Sequence, residues 1–496
     1  MIGLAELLQN DSWAIKEFKN MRIKCGRLLK RFIVTMITLS KKPSVSISAA
    51  SSNVAEAKAI YRMINNKLLT NDIIMEAEKR STICRLIESE EKTVLAIQDT
   101  TTLNYSGLVE TSGLGDIGGS VNTQGLIAHS TIAVLPSGLP LGLLDQRIWA
   151  RDPKEDTKGK KDPDRPIEEK ESYKWIKAME NSNSGIPKDM RIINVCDREG
   201  DFFEFFSAAM KNDRNYLVRA VWNRNIEEES KLFEAVKNVD SAGVIIVDIP
   251  RDTRKNIKAR KAALEIRHTK VKISVPPLLK NRYKDLEYLE LYIVHAIESK
   301  LPKEYVLEDE NAVITEKSEP IEWFLVTNVP VENFGDAVEK VKWYVQRWKI
   351  ERFHYVLKSG CEIEELQFET ADRIMKLVAM YSIIAVRLLC ITYVARINPE
   401  ISCETVLDEN EWKILYCLAN RTKIPPEIAP TAKEAVLYLA KLGGFLGRKG
   451  DGEPGVKVVW RGFRELDTVV QYANYIPDVS SNSVRKKGKG GMNIFF

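Results

Sequence analysis

Thr93-Val94-Leu95-Ala96-Ile97-Gln98-Asp99-Thr100-Thr101 decides the fold. Upstream of it the chain reads as helices, and here the periodicity changes. Val94 to Ile97 is a short continuous apolar run, the pattern of a buried strand, and it runs straight into a polar word containing Asp99. Leu126 to Leu135 and Leu141 to Trp149 read as two more strands, joined by the hairpin signal Pro136-Ser137-Gly138. The charged, Pro-rich stretch 151–166 reads as a surface loop, and a helix is expected from about Ile167 to Glu180. The apolar run Ile192 to Cys196 predicts a strand that ends at Asp197-Arg198-Glu199. Phe202 to Met210 follows as helix and Tyr216 to Val221 as strand.

Three strands in succession, then helix, strand, helix, strand, is the element order of a ribonuclease-H-like α/β core. About a hundred residues of different texture follow. Val244 to Ile249, Leu264 to Ile266, Val271 to Val275 and Leu289 to Val294 alternate like strands, with Arg251, Arg254, Lys255, Lys258, Arg260 and Lys261 among them. They predict a mostly-β insertion, about 222–322, carrying a basic loop. The expected organisation is thus a helical domain over 1–75, an α/β catalytic domain over 76–370 that holds the insertion, and a helical region over 371–496 with a basic tail at 485–491.

After the insertion comes Y-V-Q-R-W-K-I-E-R-F-H-Y-V-L-K, Tyr344 to Lys358. Asp336 and Glu339 look like a capping box opening a helix, and Gly360 suits its stop. At about 100° per residue, Tyr344, Arg347, Glu351 and Lys358 fall within an arc of roughly 60°. Trp343, Ile350, Phe353 and Leu357 form an apolar arc beside it. Taken alone, this is a solvated amphipathic helix with ion pairs. Glu351 gains meaning from Asp99 and Asp197, which both sit at the C-terminal ends of predicted buried strands. A two-metal phosphoryl-transfer site needs a few carboxylates converging on ions about 3.5–4 Å apart. Magnesium suits such an oxygen-donor set and takes substrate phosphate as a further ligand.

Composition sets looser bounds. The 496 residues allow two to four domains; 74 Lys+Arg against 69 Asp+Glu leave +5, mildly basic. Residues 1–42 carry nine Lys/Arg and three acids, so a basic helical module opens the chain. Within it Asn53 is expected to cap a helix through Tyr61 and Arg62, closed at Asn65-Asn66. Such a module suits duplex DNA, although charge alone fits a solvated bundle equally well. Seven scattered cysteines without C-x-x-C, and no signal peptide, imply reduced thiols in a cytosol. Leu377 to Ala395 is apolar but contains Arg387, which favours a buried core helix over a membrane span. Gly113-Leu114-Gly115-Asp116-Ile117-Gly118 matches G-x-G-x-x-G yet precedes a strand, so it fails the dinucleotide context.

Tyr344, Arg347, Glu351 and Lys358, as Y-x2-R-x3-E-x6-K, resemble the signature of bacterial cut-and-paste DDE transposases of the insertion-sequence-four type, to which the transposon-five transposase belongs. A-I-Q-D-T-T around Asp99, V-C-D-R-E-G-D around Asp197 and R-W-x-I-E-x-F-H-x-x-L-K-x-G around Glu351 are similar to the same family. So are A-E-A-K-A-I-Y-R-M-I-N-N (55–66) and L-G-G-F-L-G-R-K-G-D-G-E-P-G (442–455). The resemblance implies Asp99, Asp197 and Glu351 as a metal-binding catalytic triad served by Mg²⁺, or Mn²⁺ in its place. It implies cleavage at the ends of a mobile element through a DNA hairpin, then strand transfer. It also implies phosphate and hairpin contacts for Tyr344, Arg347 and Lys358, base stacking by Trp323, a basic contact at Arg219, and end-DNA contacts around Tyr61 and Arg62. The partners implied are double-stranded DNA and a second copy in a synaptic dimer, in a bacterial cytoplasm. Two rivals remain open on sequence: a ribonuclease-H-like nuclease without strand transfer, and an inactive transposase-derived DNA-binding regulator. For Trp323 itself, W-F-L-V reads equally well as plain sheet core.

Overall fold

The computed structural model describes residues 13–473 except 43–44, 119–122, 153–164, 228–229, 250–259, 300–319 and 449–451. The basic positions Arg251, Arg254, Lys255 and Lys258, most of the loop 151–166 and the tail 485–491 lie outside the described residues. The chain divides into two compact units, residues 1–397 and 398–496.

The first unit opens with helices α1 (Trp13–Phe18), α2 (Gly26–Lys41), α3 (Ile47–Ala50), α4 (Val54–Ile64) and α5 (Asn71–Glu88). Asn53 caps α4 as its sequence suggests, its side chain accepting from Glu56 N at 3.0 Å. The strands are β1 (Thr93–Asn104), β2 (Gly115–Asp116), β3 (Gln124–Val134), β4 (Pro140–Trp149), β5 (Arg191–Cys196) and β6 (Asn215–Arg219). Helices α6 (Tyr173–Asn183) and α7 (Phe203–Lys211) alternate with the last two. At the β3–β4 turn Gly138 takes φ +92°, a left-handed conformation that its lack of a Cβ permits.

Within the sheet these strands lie in the order β4-β3-β1-β5-β6; β3 is antiparallel to β1 and β4, whereas β1, β5 and β6 run parallel. Both faces of the sheet are covered. On β4, Gln146 reaches Ser382 at 2.9 Å, while the next residue back, Asp145, reaches Asn181 of α6 at 3.0 Å. Successive strand residues point to opposite faces, so helices flank the sheet on either side. Ser382 belongs to the helix Ala371–Ile397, which is long and apolar enough to cross a membrane but largely buried in the protein. It lies in the first unit, whereas the sequence boundary at 370/371 would have placed it in a C-terminal domain.

The segment after β6 does not form a separate body. Helix α8 (Leu232–Lys237) is followed by β7 (Gly243–Ile249), β8 (Arg260–Ser274), β9 (Tyr288–Ser299) and β10 (Glu322–Thr327), and these continue the central sheet as β6-β10-β9-β8-β7. The two strands expected at 264–266 and 271–275 are one, because β8 pairs with β9 without a break from Ala263↔Ser299 to Ser274↔Tyr288. The ladder carries the chain through Arg267-His268-Thr269-Lys270, which interrupt the apolar pattern but not the backbone pairing. A core of Trp175, Phe205, Phe206, Tyr216, Ile273 and Phe324 joins α6 and α7 to this extension.

The single helix expected over 344–358 is divided. Helix α9 is Phe334–Val345 and α10 is Trp348–Tyr355, followed by a π-type turn at Val356–Gly360, whose closing bond runs from Cys361 N to Val356 O at 2.9 Å. At the junction the bonds shorten to three-residue spacing, Gln346 N to Trp343 O at 3.1 Å and Arg347 N to Tyr344 O at 2.9 Å. The N-cap is Asn333, which accepts from Asp336 N at 3.1 Å; Asp336 sits inside the first turn and does not open the helix. With the helix Ala371–Ile397 as α11, the second unit contains α12 (Glu409–Asn420), α13 (Ala432–Leu442) and α14 (Val456–Ala473). The first two carry capping boxes, Asp408 with Glu411 and Thr431 with Glu434.

Helix α5 is fastened to β4 where Gly142 passes close beneath it. A Cβ at Gly142 would lie 2.0 Å from Thr82 Oγ1 and 2.6 Å from Arg85 Nη2. Gly142→Ala should therefore destabilise the protein by about 1–3 kcal/mol, the usual cost of overpacking, and lower its melting temperature in thermal denaturation.

Candidate active site

The parallel pair β1–β5 sets the geometry. Its register ends at Ile97↔Val195, so two residues further on Asp99 and Asp197 lie level on adjacent strands. The register of β5 and β6 ends at Cys196↔Val218, which puts Arg219 level with Asp197 in turn. Gln98 and Thr100, on either side of Asp99, point to the opposite face and are fixed there. Thr100 Oγ1 lies 2.8 Å from His129 Nδ1, and Gln98 Nε2 lies 3.3 Å from Asn194 Oδ1. This buried polar set holds β1 between β3 and β5 and leaves Asp99 facing α10, which packs against β1.

Each aspartate is steadied by a nearby backbone amide. Thr100 N donates to Asp99 Oδ1 and Glu199 N to Asp197 Oδ1, both at 2.8 Å. Helix α10 supplies Glu351, whose Oε1 accepts from Arg347 Nη2 at 2.6 Å. Burial raises the Asp99 carboxyl to about 7, and the negative charges of Asp197 and, more weakly, Glu351 push the same way, against Arg347 and the Thr100 amide. The charges of the other two carboxylates singled out in the sequence are thus felt at Asp99. Among the described residues, no three carboxylate, imidazole or thiol groups close to the spacing of a single metal ion.

Of the remaining predicted residues, Tyr344 and Arg219 lie nearest the carboxylates. Tyr344 is buried (4% exposed), with Arg347 over its ring at 5.9 Å. The positive charges of Arg347 and Arg219 both act on the Tyr344 phenol, and Arg219 Nη2 donates to Glu322 O at 3.2 Å. Lys358 pairs with Glu364 at 3.2 Å. Trp323 is buried (5% exposed) on β10, its ring edge-on to Tyr344 at 5.2 Å and to Trp348 at 6.0 Å. In this conformation Trp323 is sheet core. Tyr61 and Arg62 are exposed on α4, away from the carboxylates in sequence, with Tyr61 against Phe368 at 5.9 Å.

Two residues of the site went unread in the sequence. His354 Nδ1 lies 3.7 Å from Asp99 Oδ2, and burial, aided by Lys358, holds its pKa down at about 3. It is thus a neutral neighbour of Asp99 and not a counter-ion. Its position three residues after Glu351, on the same helical face, was the available signal. Asp201, in the same word as Asp197, turns away from the carboxylates and is buried under the loop after β6.

Residues 10–68 match the transposase DNA-binding family, and residues 383–483 match the transposase Tn5 dimerisation domain. A DNA-binding module before the α/β sheet and a dimerisation module behind it define the class: the protein is a DNA transposase. DNA and a second copy of the chain are its partners. A solved piggyBac transposase synaptic complex with hairpin DNA is similar at TM-score 0.33 and 8% identity, over 98% of this chain and 84% of that one. That likeness is too remote to compare the sites.

Because Asp99 is raised above the ordinary carboxylate range, the folded protein keeps a proton there that the unfolded chain loses between about pH 4 and 7. Stability from this group is present at low pH and is lost as pH rises through about 7. In chelator at pH 8, Asp99→Asn should melt several degrees above the parent, and the gain should shrink as pH falls from about 7 towards about 4. Melting curves across that range check the sign.

Proposed function

We propose that the chain is a DDE transposase of the insertion-sequence-four type, with Asp99, Asp197 and Glu351 as its metal-binding catalytic residues. The observation that carries this reading is the level placement of Asp99 and Asp197 on adjacent parallel strands, with Glu351 brought over them by α10. The strand order β4-β3-β1-β5-β6 supports a ribonuclease-H-like core, with β7 to β10 as its insertion. On this reading 1–75 binds element ends, the sheet with the helices packed on it cuts, and the region matched over 383–483 pairs two protomers.

The three carboxylates would hold Mg²⁺, with Mn²⁺ able to replace it. Such ions supply activation of a water or 3′-hydroxyl nucleophile and neutralise charge at the phosphate. Arg347 keeps Glu351 oriented toward the aspartates and offers a planar fork to a phosphate; Lys358 offers a point charge. Tyr344, packed edge-on against Trp323, forms the floor on which Arg347 lies. The reaction is hydrolysis at the element's end, hairpin formation by the freed 3′-hydroxyl, opening of that hairpin and transfer to target DNA. Trp323 enters base stacking only by leaving its places against Tyr344 and Trp348.

Asp99→Ala, Asp197→Ala and Glu351→Ala should each abolish Mg²⁺-dependent cutting of a duplex carrying the inverted repeat that flanks the chain's own coding sequence. Binding of that duplex should stay within a few-fold, since affinity comes from basic contacts to phosphates. A carboxylate variant that cuts at the parental rate would remove its residue from the site. Detection of nicked and hairpin products but no strand transfer would favour the plain nuclease.

In the N-terminal module, Lys58 and Arg62 are exposed on α4. Replacing both with alanine should weaken end-DNA binding and reduce the slope of log affinity against log salt by about one for each phosphate no longer neutralised. A titration at several salt concentrations reads this directly.

A further inference from the structure

β5 and β6 are parallel neighbours, so the loops that follow them leave the sheet at the same edge, the edge that carries Asp197. Three residues beyond Arg219, the second loop presents Trp222 with 65% of its surface exposed. An exposed indole on a surface is common enough to need no role. The mount beneath this one is less ordinary.

Asp201, four residues after Asp197, is buried, and its Oδ2 accepts from Val221 N at 2.6 Å and from Trp222 N at 2.9 Å. Arg224 pairs with Asp201 Oδ1 at 2.6 Å and donates from Nη2 to Asp201 O at 2.9 Å, its guanidinium lying over the Phe206 ring at 5.3 Å. Arg224 N donates to Trp222 O at 3.0 Å. On the far side Asn223 is fastened to α8, donating to Glu234 and accepting from Phe233 N at 2.9 Å. The amides of Val221 and Trp222 and the carbonyl of Trp222 are therefore fixed, while the indole itself is exposed. A buried ion pair holds the loop that follows β6 to the loop that carries Asp197. Trp323, on β10, is by contrast enclosed between Tyr344 and Trp348.

We propose that Trp222 is a DNA-contact residue of this site, its indole stacking on a base of the strand that lies across the carboxylate edge. The inference rests on the transposase reading of Asp99, Asp197 and Glu351 given above. A pre-fixed aromatic face binds a base without losing loop entropy on contact, and any base offers a π-face to it. Trp222 would set where the strand sits relative to Asp197, acting as a positioning residue and taking no part in the bond changes.

The test uses the full chain, Mg²⁺ and the inverted-repeat duplex that flanks its coding sequence, intact or with an abasic nucleotide moved stepwise through the positions next to the cut. Trp222→Ala should fold with an unchanged melting temperature and cut intact duplex between about 5-fold and about 150-fold more slowly, the loss expected of one base stack. Trp222→Tyr should recover most of that loss. One abasic position should slow the parent to a similar degree and leave Trp222→Ala no slower than before. Trp222→Ala cutting within twofold of the parent would overturn the assignment. So would a loss that is equally large on intact and on every abasic duplex, which would point to a contact with the second protomer. A parent that fails to cut, or cuts as well with Asp197→Ala, would overturn the transposase reading of the site and this inference with it.

Discussion

The in-register parallel pairing of β1 with β5 is the constraint on which the site depends. It fixes Asp99 and Asp197 side by side before any partner arrives, and two carboxylates held that way repel each other. The cost is visible in Asp99, whose carboxyl rises to about 7 under burial and its neighbours' charge. What holds the arrangement against that repulsion lies on the other face. Gln98, Thr100, His129 and Asn194 form a buried polar set across β3, β1 and β5, so a slip in register would leave several buried groups unpaired at once. Arg347 offsets part of the charge from the helix side. Held in place by the sheet, Asp99 answers burial and its neighbours' charge by keeping its proton to a higher pH.

The N-terminal module is tied to that sheet by an ion-pair cluster of the same character. Arg85 on α5 pairs with Glu17 at 2.7 Å and Glu78 at 3.3 Å, and its Nε donates to Leu141 O at 2.6 Å. Glu78 is fully buried and accepts from Leu143 N at 3.1 Å. Burial and the nearby Glu17 raise its carboxyl well above the ordinary range, while Arg85 works the other way. Such clusters add little net stability, because desolvation offsets most of the attraction. Their value is geometric: α1, α5 and β4 meet in one orientation, and the helices of the N-terminal module are carried on the sheet.

Much of this was legible in the sequence wherever a short apolar run ended at a turn residue. The starts of β1, β5 and β6, the β3–β4 hairpin and both aspartates were found that way. Features set by pairing at a distance were not. β1 continues through Thr101-Thr102-Leu103-Asn104 because β3 pairs with it there, down to Asn104↔Gly125. β8 spans its polar centre for the same reason. Helix α5 was not read because it is covered on more than one side, by α1 and α11 as well as β4, so its apolar residues do not form one stripe. Asp197 and Asp201 share one word, and nothing local says which faces the site and which is buried under a loop. Trp222 and Trp323 differ in the same way: one follows a strand end, the other sits within a strand, and only the sheet order reveals that the second is enclosed.

The break between α9 and α10 was also invisible, since the helical spacing of Tyr344, Arg347, Glu351 and Lys358 runs through it undisturbed. The structure suggests why it matters. Both cations of that set are already engaged by acids of the same protein, Arg347 by Glu351 and Lys358 by Glu364. A phosphate can gain either of them only by exchange, and an exchange costs little when the displaced carboxylate finds another positive partner. Glu351 lies where it can do so, facing the same volume as Asp99 and Asp197, whereas Glu364 stays bonded to Asn104 N at 2.7 Å. On the proposed reading, neutralising the three carboxylates and releasing Arg347 toward a phosphate would be linked events. Arg347 itself keeps helical backbone angles, so its pair with Glu351 has the ordinary four-residue spacing. The shortened bonds lie on its other side, toward Tyr344, over whose ring the guanidinium sits at 5.9 Å.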